Sequence, residues 1–249
     1  MAVSASTRNP RQSFDELVSL IGSQALTQLQ QFETETGVNV GNDLAGALGT
    51  DFTLALERMS LPVPGWIGVA EVQQPAAFDD SVRRVVDAYN RHNAASGPML
   101  TLNQVVVNGR EFHSLSMSGN LLTLEWTYDR GYLLFSTDRA LIVRAISTRD
   151  SGLSLTRSAA FRQAVPDGNL HHSAYVWANV QGALADVASL FSSPALRDLA
   201  SSRTPVLVTL DGEAEQIHAA SRTRLTSLVL DALMTFGAAG PQGSQTTTQ

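Results

Sequence analysis

The residues able to do chemistry are few, because the chain has five histidines, no cysteine, and arginine in place of every lysine. His171 and His172 are neighbours at the start of an expected strand. Adjacent strand side chains point to opposite faces, so the pair does not readily chelate one ion. His113 shares strand parity with Glu111, and His218 with Gln216, which places both on solvent or on a polar sheet surface. His92 closes an expected helix, where the dipole favours a cation. Glu33, Glu35 and Asp43 surround a glycine-containing loop and offer oxygen ligands of the kind calcium takes, although their spacing departs from the EF-hand pattern. A metal, if bound, would use these three carboxylates or the His171-His172 pair; the expectation is no metal and no cofactor. Asp79 and Asp80 are expected to cap a helix start and complement its dipole. Trp66, Trp126 and Trp177 all fall on expected strands. They could line a ligand cavity or partner groove, although such side chains more often bury their area in a core.

The absences exclude more than any motif supports. Without cysteine there is no thiol nucleophile, disulfide, iron–sulfur cluster or thiolate zinc site. Without lysine there is no P-loop lysine, Schiff base or kinase lysine, and arginine does not deprotonate to replace them. Neither Gly-x-Ser-x-Gly nor His-Glu-x-x-His occurs. Net charge is −6, and no basic run extends beyond Arg83-Arg84, which argues against nucleic acid as a partner. No apolar stretch approaches the roughly 18 residues of a transmembrane helix, and residues 1–12 contain no hydrophobic signal core.

The elements that must position these residues follow from periodicity. Residues 1–12 read as a flexible N-terminus. Ser13 and Glu16 fit a capping box for a helix whose stripe is Phe14, Leu17, Val18, Ile21, Ala25, Leu29 and Phe32. A short helix is expected over Asp43 to Leu48. Strands follow at Phe52 to Leu56 and Trp66 to Val72, then a helix with Phe78, Val82, Val85, Val86 and Tyr89 on one side. Residues 100–136 read as a meander, turning at Asn108-Gly109, Gly119-Asn120 and Arg130-Gly131. Asp138 caps a helix that turns Leu141, Ile142, Ala145 and Ile146 inward. A short helix lies near Ser158 to Gln163, a strand over His172 to Val180, a helix after it, and a hairpin turning at Asp211-Gly212. A final stripe runs from Leu225 to Phe236. The fold class is therefore α+β: a mostly antiparallel, hairpin-rich sheet with amphipathic helices packed on it. Residues 13–236 form one globular domain that allows a subdivision near 150–170, and residues 237–249 a disordered tail.

Two segments, Thr36 to Gly49 and Asp129 to Phe161, resemble the bacterial family known as domain of unknown function 3352. The resemblance covers roughly residues 30–165. It implies an exported or envelope protein, periplasmic or secreted, with a cytoplasmic location as the alternative, and brings no catalytic residues with it. The expected function is a non-enzymatic binding or structural domain whose partner is a protein or an apolar small molecule. A carrier of a lipid or other apolar ligand is one alternative, and a hydrolase with an unmarked Ser/His/Asp site another. Oligomeric state is left open.

Overall fold

Two kinds of signal decide the architecture: tight turns that reverse strands, and apolar stripes that hold helices against them. The computed structural model describes residues 2–6, 9–20, 22–58, 65–95, 97–119, 123–165, 172–178, 205–212 and 217–221. The chain divides into two units, Met1–Arg157 and Ser158–Gln249.

The first unit carries strands β1 (Ala2–Ser6), β2 (Leu48–Arg58), β3 (Gly65–Val72), β4 (Leu100–Val107), β5 (Arg110–Met117), β6 (Thr123–Asp129) and β7 (Tyr132–Ser136). Their order across the sheet is β1-β2-β3-β7-β6-β5-β4, and every ladder is antiparallel. Two turns set the register. Asn108 and Gly109 (φ 52° and 74°) and Arg130 and Gly131 (φ 50° and 84°) both take positive φ, the type I′ geometry that matches strand twist. Helix α3 (Pro75–Asn93) crosses between β3 and β4, and α4 (Arg139–Asp150) follows β7.

Strand parity explains how both helices find a core. Leu133 and Leu134 are neighbours on β7 and so face opposite ways. Leu133 packs with Val72, Trp126 and the α3 residues Phe78 and Val82. Leu134 packs with Phe112 and the α4 residues Ile142 and Ile146. The middle of the sheet is therefore covered by α3 on one face and α4 on the other. Buried polar groups are satisfied: the Thr127 hydroxyl donates to the Glu111 carbonyl (2.5 Å), and that of Ser136 to the Trp66 carbonyl (2.6 Å).

In the second unit, helix α5 (Ala159–Ala164) is capped by Ser158, whose side chain accepts the Phe161 N–H. Strands β8 (Ala174–Ala178), β9 (Val206–Gly212) and β10 (Ile217–Ser221) pair antiparallel in sequence order. Phe161, Val165, Trp177 and Leu207 form its core.

The structure corrects several expectations. Residues 2–6 are not loose but pair with β2, through backbone hydrogen bonds that need no side-chain pattern. The first helix starts earlier and is split. Helix α1 (Pro10–Leu20) is capped by Asn9, which accepts the Gln12 N–H (3.2 Å), and proline suits the first helical position. Gly22 then caps α2 (Ser23–Thr36). The expected helix at Asp43 to Leu48 is instead a π turn, Val40–Leu44, and a 3-10 turn, Ala45–Ala47, leading into β2. Strand β9 continues through Gly212, which pairs with Ile217, so the hairpin does not turn at Asp211-Gly212. Residues 179–204, the Leu225 to Phe236 stripe and the 237–249 tail lie outside the described residues. Among the described residues, no helix is long and apolar enough to cross a membrane.

Candidate functional site

Among the described residues, a cluster of polar and aromatic side chains lies where the first turns of α3 meet β5 and β6. Proline opens α3, and Asp79 follows one turn later on the same stripe as Val82 and Val86, so its carboxylate is aimed at the sheet. Register does the rest. His113 on β5 stands opposite Trp126 on β6, and Tyr128 shares the Trp126 face two residues on.

Asp79 Oδ1 accepts two hydrogen bonds, from the Tyr128 hydroxyl (2.6 Å) and from Trp126 Nε1 (3.2 Å). The imidazole of His113 stacks on Trp126 with 5.3 Å between centroids and 11° between planes. Its Nε2 lies 3.8 Å from Asp79 Oδ2 and 3.6 Å from Glu111 Oε1, close enough for charge attraction but beyond good hydrogen-bond distance. Burial, together with donation to Asp79 and the negative charge of that carboxylate, pushes the Tyr128 hydroxyl far above the ordinary tyrosine range. Tyr128 is therefore a fixed donor.

Asp79, Glu111, His113 and Tyr128 line a cleft of about 560 Å³ together with Arg110 and Asp129. Burial alone would raise the Asp129 carboxyl, but hydrogen bonds and charge from Arg149 and Arg110 outweigh it and hold the group below the usual carboxylate range. Asp129 is thus neutralised by two arginines. Asp79 and Glu111, by contrast, have His113 and no arginine as their charged partner among the described residues. Behind His113 is a smaller recess of about 210 Å³, lined by Arg83, Leu102, Gln104 and Trp126 among others. A third hollow, about 220 Å³, is wholly apolar and is lined by Phe78, Val82, Leu115, Leu124, Leu133, Phe135 and the far side of Trp126.

The arrangement differs from what the sequence suggests. Of the two settings its parity with Glu111 allows, His113 takes the polar sheet surface and not solvent, with its side chain only 14% exposed. Asp79 does not cap α3, because helix capping groups act within the first turn and this carboxylate is already held by Trp126 and Tyr128. Glu33, Glu35 and Asp43 do not converge. Glu33 accepts the Val40 N–H (2.8 Å), Glu35 the Gln31 amide (2.7 Å), and Asp43 both the Asn39 N–H (3.0 Å) and Arg84 Nη2 (3.1 Å). Glu33 and Asp43 staple the loop after α2, and Glu35 braces the helix itself. Among the described residues, no group of three side chains is placed to hold a metal.

His171 lies outside the described residues. His172 is paired through Nδ1 with Asp211 Oδ2 at 2.7 Å, and Asp211 Oδ1 also accepts the Ser173 N–H. Histidine, serine and carboxylate thus come together, but the Ser173 hydroxyl accepts the Gly212 N–H (3.4 Å). The His172 side chain is only 5% exposed, too buried to meet a substrate. Trp177 is core. Trp66 is half-buried and meets Phe135 edge-on at 5.8 Å. Of the three tryptophans, Trp126 alone lines any of the three hollows described above.

Sequence reasoning missed Asp79, Tyr128, Arg110 and Asp129. The one available signal was a carboxylate on the apolar stripe Asp79–Val82–Val86, since a charge at a buried stripe position requires a partner. Comparison with protein-family models, curated proteins and solved structures finds no match to this chain.

Proposed function

We propose that this chain is a non-enzymatic binding domain of a bacterial envelope or secreted protein, and that the Asp79–His113 cleft is its recognition surface. One observation carries the reading. The polar groups of the cleft are tied to one another, with Asp79 held by Trp126 and Tyr128, and no hydroxyl among the described residues hydrogen-bonds to His113. A nucleophile needs a base within hydrogen-bond reach; a recognition wall needs fixed donors and acceptors around a cleft of ligand size, about 300–1,000 Å³. The cleft, at about 560 Å³, falls in that range. The extracytoplasmic setting is supported by the resemblance of the 36–49 and 129–161 segments to an exported family. Native mass spectrometry of gently purified protein tests the reading. A small molecule that co-purifies with the chain and is lost from a Glu111→Ala, His113→Ala variant is the expected result. Turnover of an ester or peptide substrate that disappears with His113→Ala alone would refute it in favour of the hydrolase alternative.

A second reading, carriage of an apolar ligand, is favoured by the hollow between α3 and the sheet. Its lining is entirely apolar, but its volume of about 220 Å³ is below the usual ligand range. It fits one aromatic ring or a short alkyl chain. Val82→Trp would fill it, so binding of a fluorescent alkyl probe should be lost in that variant and retained in Glu111→Ala.

A further inference from the structure

The last strand of the first unit's sheet, β4, pairs among the described residues only with β5, and its outer edge is unusually open. Natural edge strands are blunted by charge, proline, bulges or short length. Strand β4 has none of these: Leu100–Val107 contains no charged residue and no proline, and all eight residues pair in unbroken register with β5. Val105 and Val106, on opposite faces, are 43% and 67% exposed.

The direction of each backbone group can be assigned twice over. Val107 and Arg110 flank the two-residue type I′ turn, so they form its closing hydrogen-bonded pair. Odd-numbered residues of β4 therefore bond inward to β5, and even-numbered ones point outward. Independently, Leu100 turns its N–H and C=O away from β5, and Asn90 of α3 takes both, at 2.8 Å each. Asn90 thus plugs the first outward position. The outward backbone groups of Leu102, Gln104 and Val106 have no partner among the described residues.

We propose that this edge pairs antiparallel with β4 of a second copy of the chain, centred on Gln104. Three outward residues bounded by a plug at one end and a turn at the other define a single two-fold register: Gln104 opposite Gln104, and Leu102 opposite Val106 in both directions. Each pair exchanges two hydrogen bonds. Leu102 and Val106 share one sheet face, so the flanking pairs are apolar. In a chain of net charge −6, an uncharged strand can meet its own copy without facing like charges. Arg83, which lines a recess with Gln104, is already paired with Asp80 at 2.5 Å. The two-fold closes the assembly and leaves no β4 edge for further growth. So short an edge buries less than the roughly 1,200 Å² of a standard interface, so the dimer is weak and concentration-dependent.

The absence of native cysteine makes the register directly testable. Across the dyad, Gln104 Cα atoms would be about 5.5 Å apart, within disulfide range. Val105 would be about 8 Å from its copy and Val106 about 14 Å, both beyond it. Under mild oxidation of the full chain, Gln104→Cys should give a covalent dimer, while Val105→Cys and Val106→Cys remain monomeric. In analytical ultracentrifugation, Gln104→Pro should abolish the concentration-dependent dimer with an unchanged circular dichroism spectrum, because proline there removes only an outward N–H. Equal crosslinking at the three positions, no adduct at Gln104→Cys, or a dimer that survives Gln104→Pro would overturn the proposal.

Discussion

At the scale of single residues, Asp79 ties strand β6 of the first unit to α3 through one carboxylate. Its Oδ1 satisfies a Trp126 indole whose residue is only 4% exposed, and the Tyr128 hydroxyl besides. Asp79→Ala leaves both donors unpaired and should lower stability by about 2–4 kcal/mol in urea denaturation. Asp79→Asn keeps an acceptor oxygen and should lose less. Tyr128 adds a pH signature. The folded protein holds the Tyr128 proton more tightly than the unfolded chain does. Its contribution is therefore complete below the ordinary tyrosine value of about 10 and declines as pH rises beyond it. Denaturation midpoints measured between about pH 9 and 11 should fall more steeply in the wild type than in Tyr128→Phe. Asp129 has the opposite sign. Its carboxyl is held low by Arg149 and Arg110 against the effect of burial, so its contribution is present above the ordinary carboxylate value and disappears as pH falls through the folded value.

At the scale of elements, the contact between β3 and β7 depends on one missing side chain. Gly68 stands opposite Phe135, and a Cβ built on it would lie 2.2 Å from that ring. The ring occupies the space a side chain would need, and it also forms part of the apolar hollow under α3. Gly68→Ala should destabilise the protein by about 1–3 kcal/mol through overpacking. Phe135→Leu in the same chain should recover part of that loss, so a double-mutant cycle should show coupling between the two sites. Additive effects would mean that the ring does not depend on the glycine. The bulge between β2 and β3 works differently. Where the register shifts after Leu48, Glu71 accepts the Thr50 N–H (2.6 Å) and hydroxyl (3.0 Å). A side chain thus replaces a ladder bond that the irregularity removes.

At the scale of the whole molecule, each unit has its own core. Phe112 lies 1% exposed in the first and Phe161 2% exposed in the second. Truncating either to alanine should remove about 3–5 kcal/mol from its surroundings. Hydrogen-exchange mass spectrometry should show Phe161→Ala loosening β8 and β9 before β5 to β7, and Phe112→Ala the reverse. Simultaneous loss of protection everywhere would show that the units open together. The sequence alone determined the α+β class, the antiparallel hairpins and the inward stripe of α4. Those features depend on local rules: Asn108-Gly109 and Arg130-Gly131 select their turns, and Asp138 caps its helix whatever lies nearby. Only the tertiary structure decided that Asp79, from α3, would meet His113 and Tyr128 from two strands. It also decided that Glu33 and Asp43 would cap a loop rather than gather around an ion, and that β4 would end a sheet. Residues far apart in the chain are brought together by strand order and register, and no spacing within a single segment encodes which strand becomes the neighbour of which.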